Sequence, residues 1–287
     1  MQRANRFSSY IKALGLVLLV VVLPLAAGYA LSLYVYPAPK IAIIPIEGDI
    51  WSFTSVYISQ ALAEARDDPA VHAVVLEIAS PGGEVTASEN LYYDVLKLRE
   101  QKPVIASIDE LAASGAYYVA SAADQIYAKP SSAVGNIGVI SLLPDPDYLD
   151  EELYTTGPFK LSGGPQESYI RQLEMLKETF LAAILAQRSD RLSTTPETLS
   201  RGEIYLGLQA QQMGLVDETG SREDAIAAAA EMAKLRRFET VDWVVEVPEW
   251  EATDEEAALH PRTATALALP PEQLPPGLYY RYLEPSQ

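Results

Sequence analysis

The first apolar feature of the chain is an almost unbroken run of hydrophobic residues from 13 to 36. A helix needs about 20 apolar residues to cross a bilayer, whereas the apolar part of a cleaved signal peptide has only about 7–15. The run therefore predicts a retained transmembrane signal anchor. Arg3, Arg6 and Lys12 precede it. Because basic residues stay on the cytoplasmic side, residues 1–12 are expected in the cytoplasm and the rest of the chain on the outer face of the cell membrane.

From residue 40 onward the pattern changes to short apolar runs that alternate with amphipathic segments. The runs predict strands at 41–46, 71–78, 104–107, 125–128 and 214–216. The segments between and after them predict helices at 55–66, 84–99, 113–123, 169–188 and 222–234. Alternation of this kind is typical of a mostly parallel sheet with helices on its faces. The pattern therefore predicts an α/β domain over residues 40–247.

Beyond that domain the composition shifts to proline, glutamate and alanine. Two proline pairs, Pro270-Pro271 and Pro275-Pro276, lie in this stretch. Such segments lack the regularly spaced apolar residues needed for a packed core. A poorly ordered tail is predicted over residues 248–287.

Composition narrows the classes of function. The formal net charge is −18, so no basic surface is available to neutralise nucleic-acid phosphates. The chain has no cysteine, which excludes thiolate nucleophiles and cysteine-ligated zinc. Its two histidines are His72, at the start of a predicted strand, and His260, in the proline-rich tail. Neither lies in a glycine-rich loop, so a metal site or a Ser-His-Asp triad is disfavoured, and no cofactor is expected.

Ser80-Pro81-Gly82-Gly83 joins a predicted strand to a predicted helix. Two glycines there allow backbone N–H groups to approach a ligand without interference from a Cβ atom. Such a turn can bind an anion or an oxyanion. A plain tight turn explains the same residues.

Ser114 lies between small residues, Ala112-Ala113 before it and Gly115-Ala116 after it, at the start of a predicted helix. Small neighbours would let a substrate carbonyl approach the hydroxyl, and a helix N-terminus favours developing negative charge. The simpler interpretation is that Ser114 caps the helix, as serine often does.

Lys160 lies in a glycine-rich segment, residues 156–164, that does not fit the spacing of a phosphate-binding loop. Most loop lysines are simply solvated. Burial beside Phe159 and Leu161 would favour a neutral amine that could accept a serine proton. The other lysines lie next to the apolar run, in predicted helices or directly before prolines: Lys12, Lys40, Lys97, Lys102, Lys129, Lys177 and Lys234. Elimination therefore favours a Ser-Lys dyad of Ser114 and Lys160.

At these segments the sequence resembles the SppA-type signal peptide peptidases of the Clp protease/crotonase superfamily. The resemblance covers about residues 41–235 in the family's order. It rests on Ser80–Gly83, Ala112–Tyr118, Ala123–Ala128, Gly135–Ile140, Thr156–Lys160, Gly202–Tyr205 and Gly214–Glu218.

The resemblance implies a Clp protease/crotonase-like fold and a serine endopeptidase that needs no metal or organic cofactor. It implies that Ser114 is the nucleophile and Lys160 the general base, with the backbone N–H groups of Gly83 and Gly115 forming the oxyanion hole. It further implies hydrophobic peptide substrates such as spent signal peptides, cut at the membrane. In this family the serine and the lysine can come from neighbouring subunits, so a homo-oligomer with shared active sites is expected.

Two positions depart from the family's pattern. Asn136 follows Gly135 where the family usually has serine, and Ala116 replaces a glycine often seen after the nucleophile. Three other functions stay open: an inactive membrane scaffold of the same fold, a stomatin-directed peptidase, and a crotonase-like acyl-CoA enzyme. Retention of both Ser114 and Lys160 argues against the scaffold. The predicted anchor argues against the acyl-CoA enzyme, because such enzymes are typically soluble.

Overall fold

The computed structural model of the protein describes residues 15–28, 38–142, 156–160, 163–243 and 277–281. The predicted cytoplasmic segment, residues 1–12, lies outside these ranges, as do residues 13–14 and 29–36 of the predicted anchor.

The described part of the predicted anchor, residues 15–28, is helical, with π-helical hydrogen bonding over Leu18–Val22. Its side chains are exposed. Across the described ranges, no helix is both long enough and apolar enough to span a membrane.

The α/β part begins at residue 40. Its helices are α1 (Ser52–Asp67), α2 (Val85–Arg99), α3 (Gly115–Ala120), α4 (Gln166–Arg188), α5 (Pro196–Leu199), α6 (Gly207–Met213) and α7 (Arg222–Met232). Its strands are β1 (Lys40–Glu47), β2 (Val71–Ser80), β3 (Gly82–Glu84), β4 (Val104–Ala113), β5 (Gln125–Ala128), β6 (Ala133–Gly135), β7 (Ile140–Leu142), β8 (Ile204–Leu206), β9 (Glu218–Thr219), β10 (Glu239–Asp242) and β11 (Gly277–Arg281).

The main sheet has eight strands, and its central path runs β10-β1-β2-β4-β5-β9. Every pairing along this path is parallel. β6 pairs in parallel with the far end of β4, and β8 pairs with β6 in antiparallel fashion. The predicted α/β architecture with a mostly parallel sheet is confirmed.

Both faces of this sheet are covered, which is why its strands read as continuous apolar runs in the sequence. Along β1, Ile41 and Ile43 lie on the sheet face that α7 covers. Ala42, Ile44 and Ile46 lie on the opposite face, which α1 to α4 cover. All five side chains are at most 2% exposed. Alternate residues of one strand therefore fill two separate apolar clusters.

A second, smaller sheet has three antiparallel strands in the order β3-β11-β7. Its central strand comes from the segment in which the sequence predicted a disordered tail. The remaining tail residues, 248–276 and 282–287, lie outside the described ranges.

Two predicted elements differ from the structure. The strand predicted at 214–216 is wrong, because Gly214 ends α6 in a left-handed conformation with φ +79°, and β9 begins only at Glu218. A Cβ at Gly214 would lie 2.0 Å from the carbonyl oxygen of Arg191, so glycine is required there. The helix predicted at 113–123 is shorter and begins at Gly115, because β4 continues through Ala113.

Candidate active site

Ser114 lies between the end of β4 and the start of α3. Its backbone has φ 53° and ψ −120°, a region that residues with a side chain seldom adopt. The residue is 1% exposed, and its N–H donates to the carbonyl of Gly135 over 2.8 Å. Such a conformation costs about 1–3 kcal/mol and persists only where the surrounding structure enforces it.

The geometry of Ser114 argues against a capping role. A serine that caps a helix usually has an extended backbone and accepts an N–H from the first turn with its side chain. Ser114 has a positive φ, and its side chain makes no capping hydrogen bond. A strained serine in a sharp strand-to-helix turn is the arrangement in which α/β-hydrolases present their nucleophile.

A hydrogen bond and aromatic packing hold α3, the helix that follows Ser114, in position. Tyr117 is fully buried, and its hydroxyl donates to the carbonyl of Leu215 over 2.9 Å. Burial raises the pKa of Tyr117, so the phenol stays protonated and available as a donor. The ring of Tyr118 packs between those of Tyr92 and Phe180, at centroid distances of 4.7 and 4.8 Å.

The Ser80–Gly83 turn needs both of its glycines for structural reasons. Gly82 has φ +95°, and its N–H donates to the hydroxyl of Ser80 over 3.1 Å. A Cβ on Gly83 would lie 2.1 Å from the carbonyl oxygen of Ile50. These contacts agree with the interpretation of residues 80–83 as a tight turn. They do not occupy the N–H of Gly83, so an oxyanion role is compatible with them.

The hydrogen bonds around Gly83 fix the direction of its own backbone groups. The N–H of Ile50 donates to the carbonyl of Gly82, and the N–H of Glu84 donates to the carbonyl of Ile50, both over 2.8 Å. Because neighbouring residues of a strand direct their N–H and C=O groups to opposite edges, those of Gly83 face away from Ile50. β3 also lies against α3. The fold thus brings the predicted oxyanion residues, Gly83 and Gly115, to the same region as Ser114.

Asn136 stabilises the neighbouring loop through its backbone conformation and its amide. It has φ 54°, a left-handed value that asparagine tolerates better than most residues. Its N–H donates to the carbonyl of Glu203, and its side-chain amide donates to the carbonyl of Gly202, both over 2.8 Å. The departure from the family's serine therefore has a structural role here, and Gly135 beside it anchors Ser114.

Lys160 ends a described turn of five residues, 156–160. Its N–H donates to the carbonyl of Gly157 over 3.2 Å, and its side chain is exposed. Phe159 beside it is 48% exposed. Among the described residues no hydrogen bond joins Lys160 to Ser114. The described residues therefore do not bury Lys160, and Leu161, the other apolar neighbour considered in the sequence, lies outside them.

Sequence reasoning missed a buried ion pair beneath the serine helix. Arg188, at the end of α4, is 0% exposed and contacts the Asp217 carboxylate over 3.0 and 3.2 Å. Asp217 also accepts from Arg191 and from the N–H of Ile126. Arg188 donates as well to the carbonyl of Gly214. The pair therefore connects α4, the helix that follows Lys160, to the loop in which the carbonyl of Leu215 accepts from Tyr117.

Asp217 carried a signal in the sequence, because it lies in the Gly214–Glu218 segment of the resemblance. Arg188 carried none. It occupies the last turn of an amphipathic helix, where a basic residue is common and is usually solvated.

Known proteins match much of this chain. The model of peptidase family S49 matches residues 97–149 and 160–236. Protease 4 of Haemophilus influenzae is 33% identical over 229 residues, which are 72% of this chain and 37% of that protein. The chain thus spans little more than a third of that relative's length.

Two further relatives extend the comparison. A Synechocystis protein named as a candidate protease is 32% identical over 210 residues, 68% of this chain and 75% of its own. The chloroplastic serine protease SPPA of Arabidopsis thaliana is 29% identical over 66% of this chain and 31% of its own. These matches, together with the parallel sheet and the order of the motifs, show that the chain belongs to peptidase family S49, the SppA-type serine peptidases.

Proposed function

We propose that this protein is a membrane-anchored serine endopeptidase in which Ser114 is the nucleophile and Lys160 the general base. One observation carries the proposal: in a chain of a peptidase family, a serine with strained backbone opens a buried helix beside the Gly82-Gly83 turn.

The reaction follows from the chemistry of these groups. The Lys160 amine accepts the hydroxyl proton as Ser114 Oγ attacks the scissile carbonyl. The N–H groups of Gly83 and Gly115 stabilise the negative charge that develops on the carbonyl oxygen. Gly115 is the first residue of α3, so its N–H has no acceptor within the helix. The lysine then protonates the leaving amine, and water hydrolyses the acyl-enzyme.

The exposure of Lys160 supports a shared active site. A lysine that acts as a general base needs a site from which water is excluded, so another surface would have to cover Lys160. The α4 residues that follow, 166–179, have no buried side chain, although Ile170 and Met175 are 54% and 68% exposed. A second copy that covers this segment would bury the apolar side chains and bring Lys160 to the Ser114 of its neighbour.

The substrate class and the location belong to the same proposal. The apolar run 13–36 would hold the peptidase domain at the outer face of the cell membrane, with the N-terminus in the cytoplasm. Hydrophobic peptides released in the membrane, such as spent signal peptides, would reach such a domain first.

Hydrolysis of a fluorogenic hydrophobic peptide tests the dyad. Full-length protein in detergent should cleave the peptide, and Ser114→Ala and Lys160→Ala should both reduce cleavage to background. Lys97→Ala is the matched control, because Lys97 is an exposed lysine of α2 whose described ion-pair partner is Asp94 on the same helix. Lys97→Ala should keep wild-type activity. Metal-dependent cleavage that survives Ser114→Ala would refute the proposal.

A further inference from the structure

The backbone of Gly83 faces a single edge of β3. Its N–H and C=O face away from Ile50 and toward the edge on which β11 pairs. A substrate carbonyl that accepts from this N–H therefore belongs to a chain on the same edge. β11 gives the register of an extended antiparallel chain there: Tyr280 is opposite Gly83, and the residue before it, Tyr279, is opposite Glu84.

The same register places one substrate side chain beside Glu84. The scissile residue, whose carbonyl faces Gly83, forms a hydrogen-bonded pair with it, so the residue before the scissile one forms a non-hydrogen-bonded pair with Glu84. The Cα atoms of such a pair are only about 4.5 Å apart, and the two side chains project from the same face. Gly82 and Gly83 have no side chains. β3 can therefore contact substrate side chains only through Glu84.

The Glu84 carboxylate is held on one side and available on the other. Its Oε2 accepts from the N–H of Ser52 over 3.0 Å and from the Ser52 hydroxyl. Among the residues that the structure describes, no hydrogen bond reaches Oε1, and no lysine or arginine forms an ion pair with Glu84. The residue is partly exposed. A fixed carboxylate with one available oxygen is suited to a cationic side chain.

From this geometry we infer that Glu84 determines specificity: it favours substrates that carry lysine or arginine directly before the scissile residue. The inference rests on the proposed function and adds a charge preference to it. Lysine and arginine have long aliphatic stems that pack against apolar surface while the charged end stays polar. A basic residue at this one position is therefore compatible with an otherwise hydrophobic peptide.

Two coumarin amide peptides test the preference. Both end in leucine linked to the coumarin, so that leucine is the scissile residue, and they differ only in the residue before it. One peptide has lysine there, and the other has norleucine, which has the same carbon chain without the ammonium group. Full-length wild type in detergent should have a kcat/KM about fivefold higher for the lysine peptide, as expected for a partly exposed ion pair. An equal or lower value would overturn the inference.

Variants of Glu84 separate specificity from a purely structural role at the start of α1. Glu84→Gln keeps an oxygen that can accept from Ser52 but removes the charge, so the ratio of the two kcat/KM values should fall below about twofold. Glu84→Lys should instead favour a peptide with glutamate at this position over one with glutamine. A carboxylate that only stabilises α1 would leave both ratios as in wild type, and that result would contradict the inference.

Glu100→Gln is the matched control for the change of charge. Glu84 and Glu100 flank the two ends of α2, about 24 Å apart along the helix. Glu100→Gln should therefore keep the wild-type ratio. If the ratio falls equally in Glu100→Gln and Glu84→Gln, the preference comes from the overall negative charge, and the assignment to Glu84 is wrong.

The same peptides distinguish this inference from the proposed function. If wild type cleaves both peptides with equal kcat/KM, the specificity inference is wrong and the proposed function stands. If wild type cleaves neither these peptides nor the hydrophobic one, both are wrong.

Discussion

Ser114, the proposed nucleophile, has a backbone conformation that costs stability. Its φ of 53° suits glycine far better than serine. The helix on one side and the bond from its N–H to Gly135 on the other maintain this conformation. A serine at this position lowers the stability of the fold, which is expected where a side chain is retained for its reactivity.

The cost can be measured with two substitutions that both remove the hydroxyl. Ser114→Gly should be more stable than Ser114→Ala by about 1 kcal/mol, because relief of the positive φ exceeds the entropy that glycine loses on folding. Urea denaturation of the two variants measures the difference. If the alanine variant proves as stable as the glycine variant, Ser114 is not strained.

The strands of the main sheet and the contacts of α3 hold the candidate site in position. β4, the strand that leads to Ser114, belongs to the main sheet. β3, which contains Gly83, directly follows β2 of the same sheet. The Tyr117 hydroxyl joins α3 to the carbonyl of Leu215. The Arg188–Asp217 pair stabilises the loop that contains Leu215. Because Arg188 is fully buried and the Asp217 side chain is only 17% exposed, removal of the arginine leaves the carboxylate without full compensation.

Substitution of this arginine should therefore have a large effect. Arg188→Met should lower the free energy of unfolding by about 3–5 kcal/mol, because it leaves the Asp217 charge poorly compensated. Arg191→Met is the control: Arg191 also contacts Asp217, but its side chain is 37% exposed. Its loss should cost no more than about 1 kcal/mol. Similar losses in the two variants, measured by chemical denaturation, would contradict a dominant role for the buried pair.

The central strands were predictable because each buries apolar residues on both faces, as β1, β2 and β4 do. Strands that form only by pairing with residues distant in the sequence were not predictable. β6, β8 and β11 are short, and their sequences contain no period that distinguishes a strand from a loop. Ser114 was singled out from its small neighbours at the start of a predicted helix, and Gly83 from the glycine pair in a predicted strand-to-helix turn. Arg188 was not, since burial of a charge depends on partners distant in sequence.

For the whole molecule, the main observation is that Lys160 is exposed and that no hydrogen bond between described residues joins it to Ser114. If neighbouring copies share sites, each of two inactive variants supplies what the other lacks. Ser114→Ala mixed with Lys160→Ala under conditions that allow subunit exchange should regain a part of wild-type activity, up to about a quarter with random mixing, whereas neither alone should be active. A mixture that stays at background after confirmed exchange would place both groups of a site in one chain.

The central claim, that Lys160 activates Ser114 for acylation, is tested most directly by trapping the acyl-enzyme. Wild type is mixed with an activated ester of a hydrophobic peptide, quenched in acid within the first turnover and digested for mass spectrometry. The account predicts one acyl group, on Ser114, in wild type and in Lys97→Ala, and at least a hundredfold slower acylation in Lys160→Ala. An acyl group on another residue, or equally fast acylation in Lys160→Ala, would contradict it.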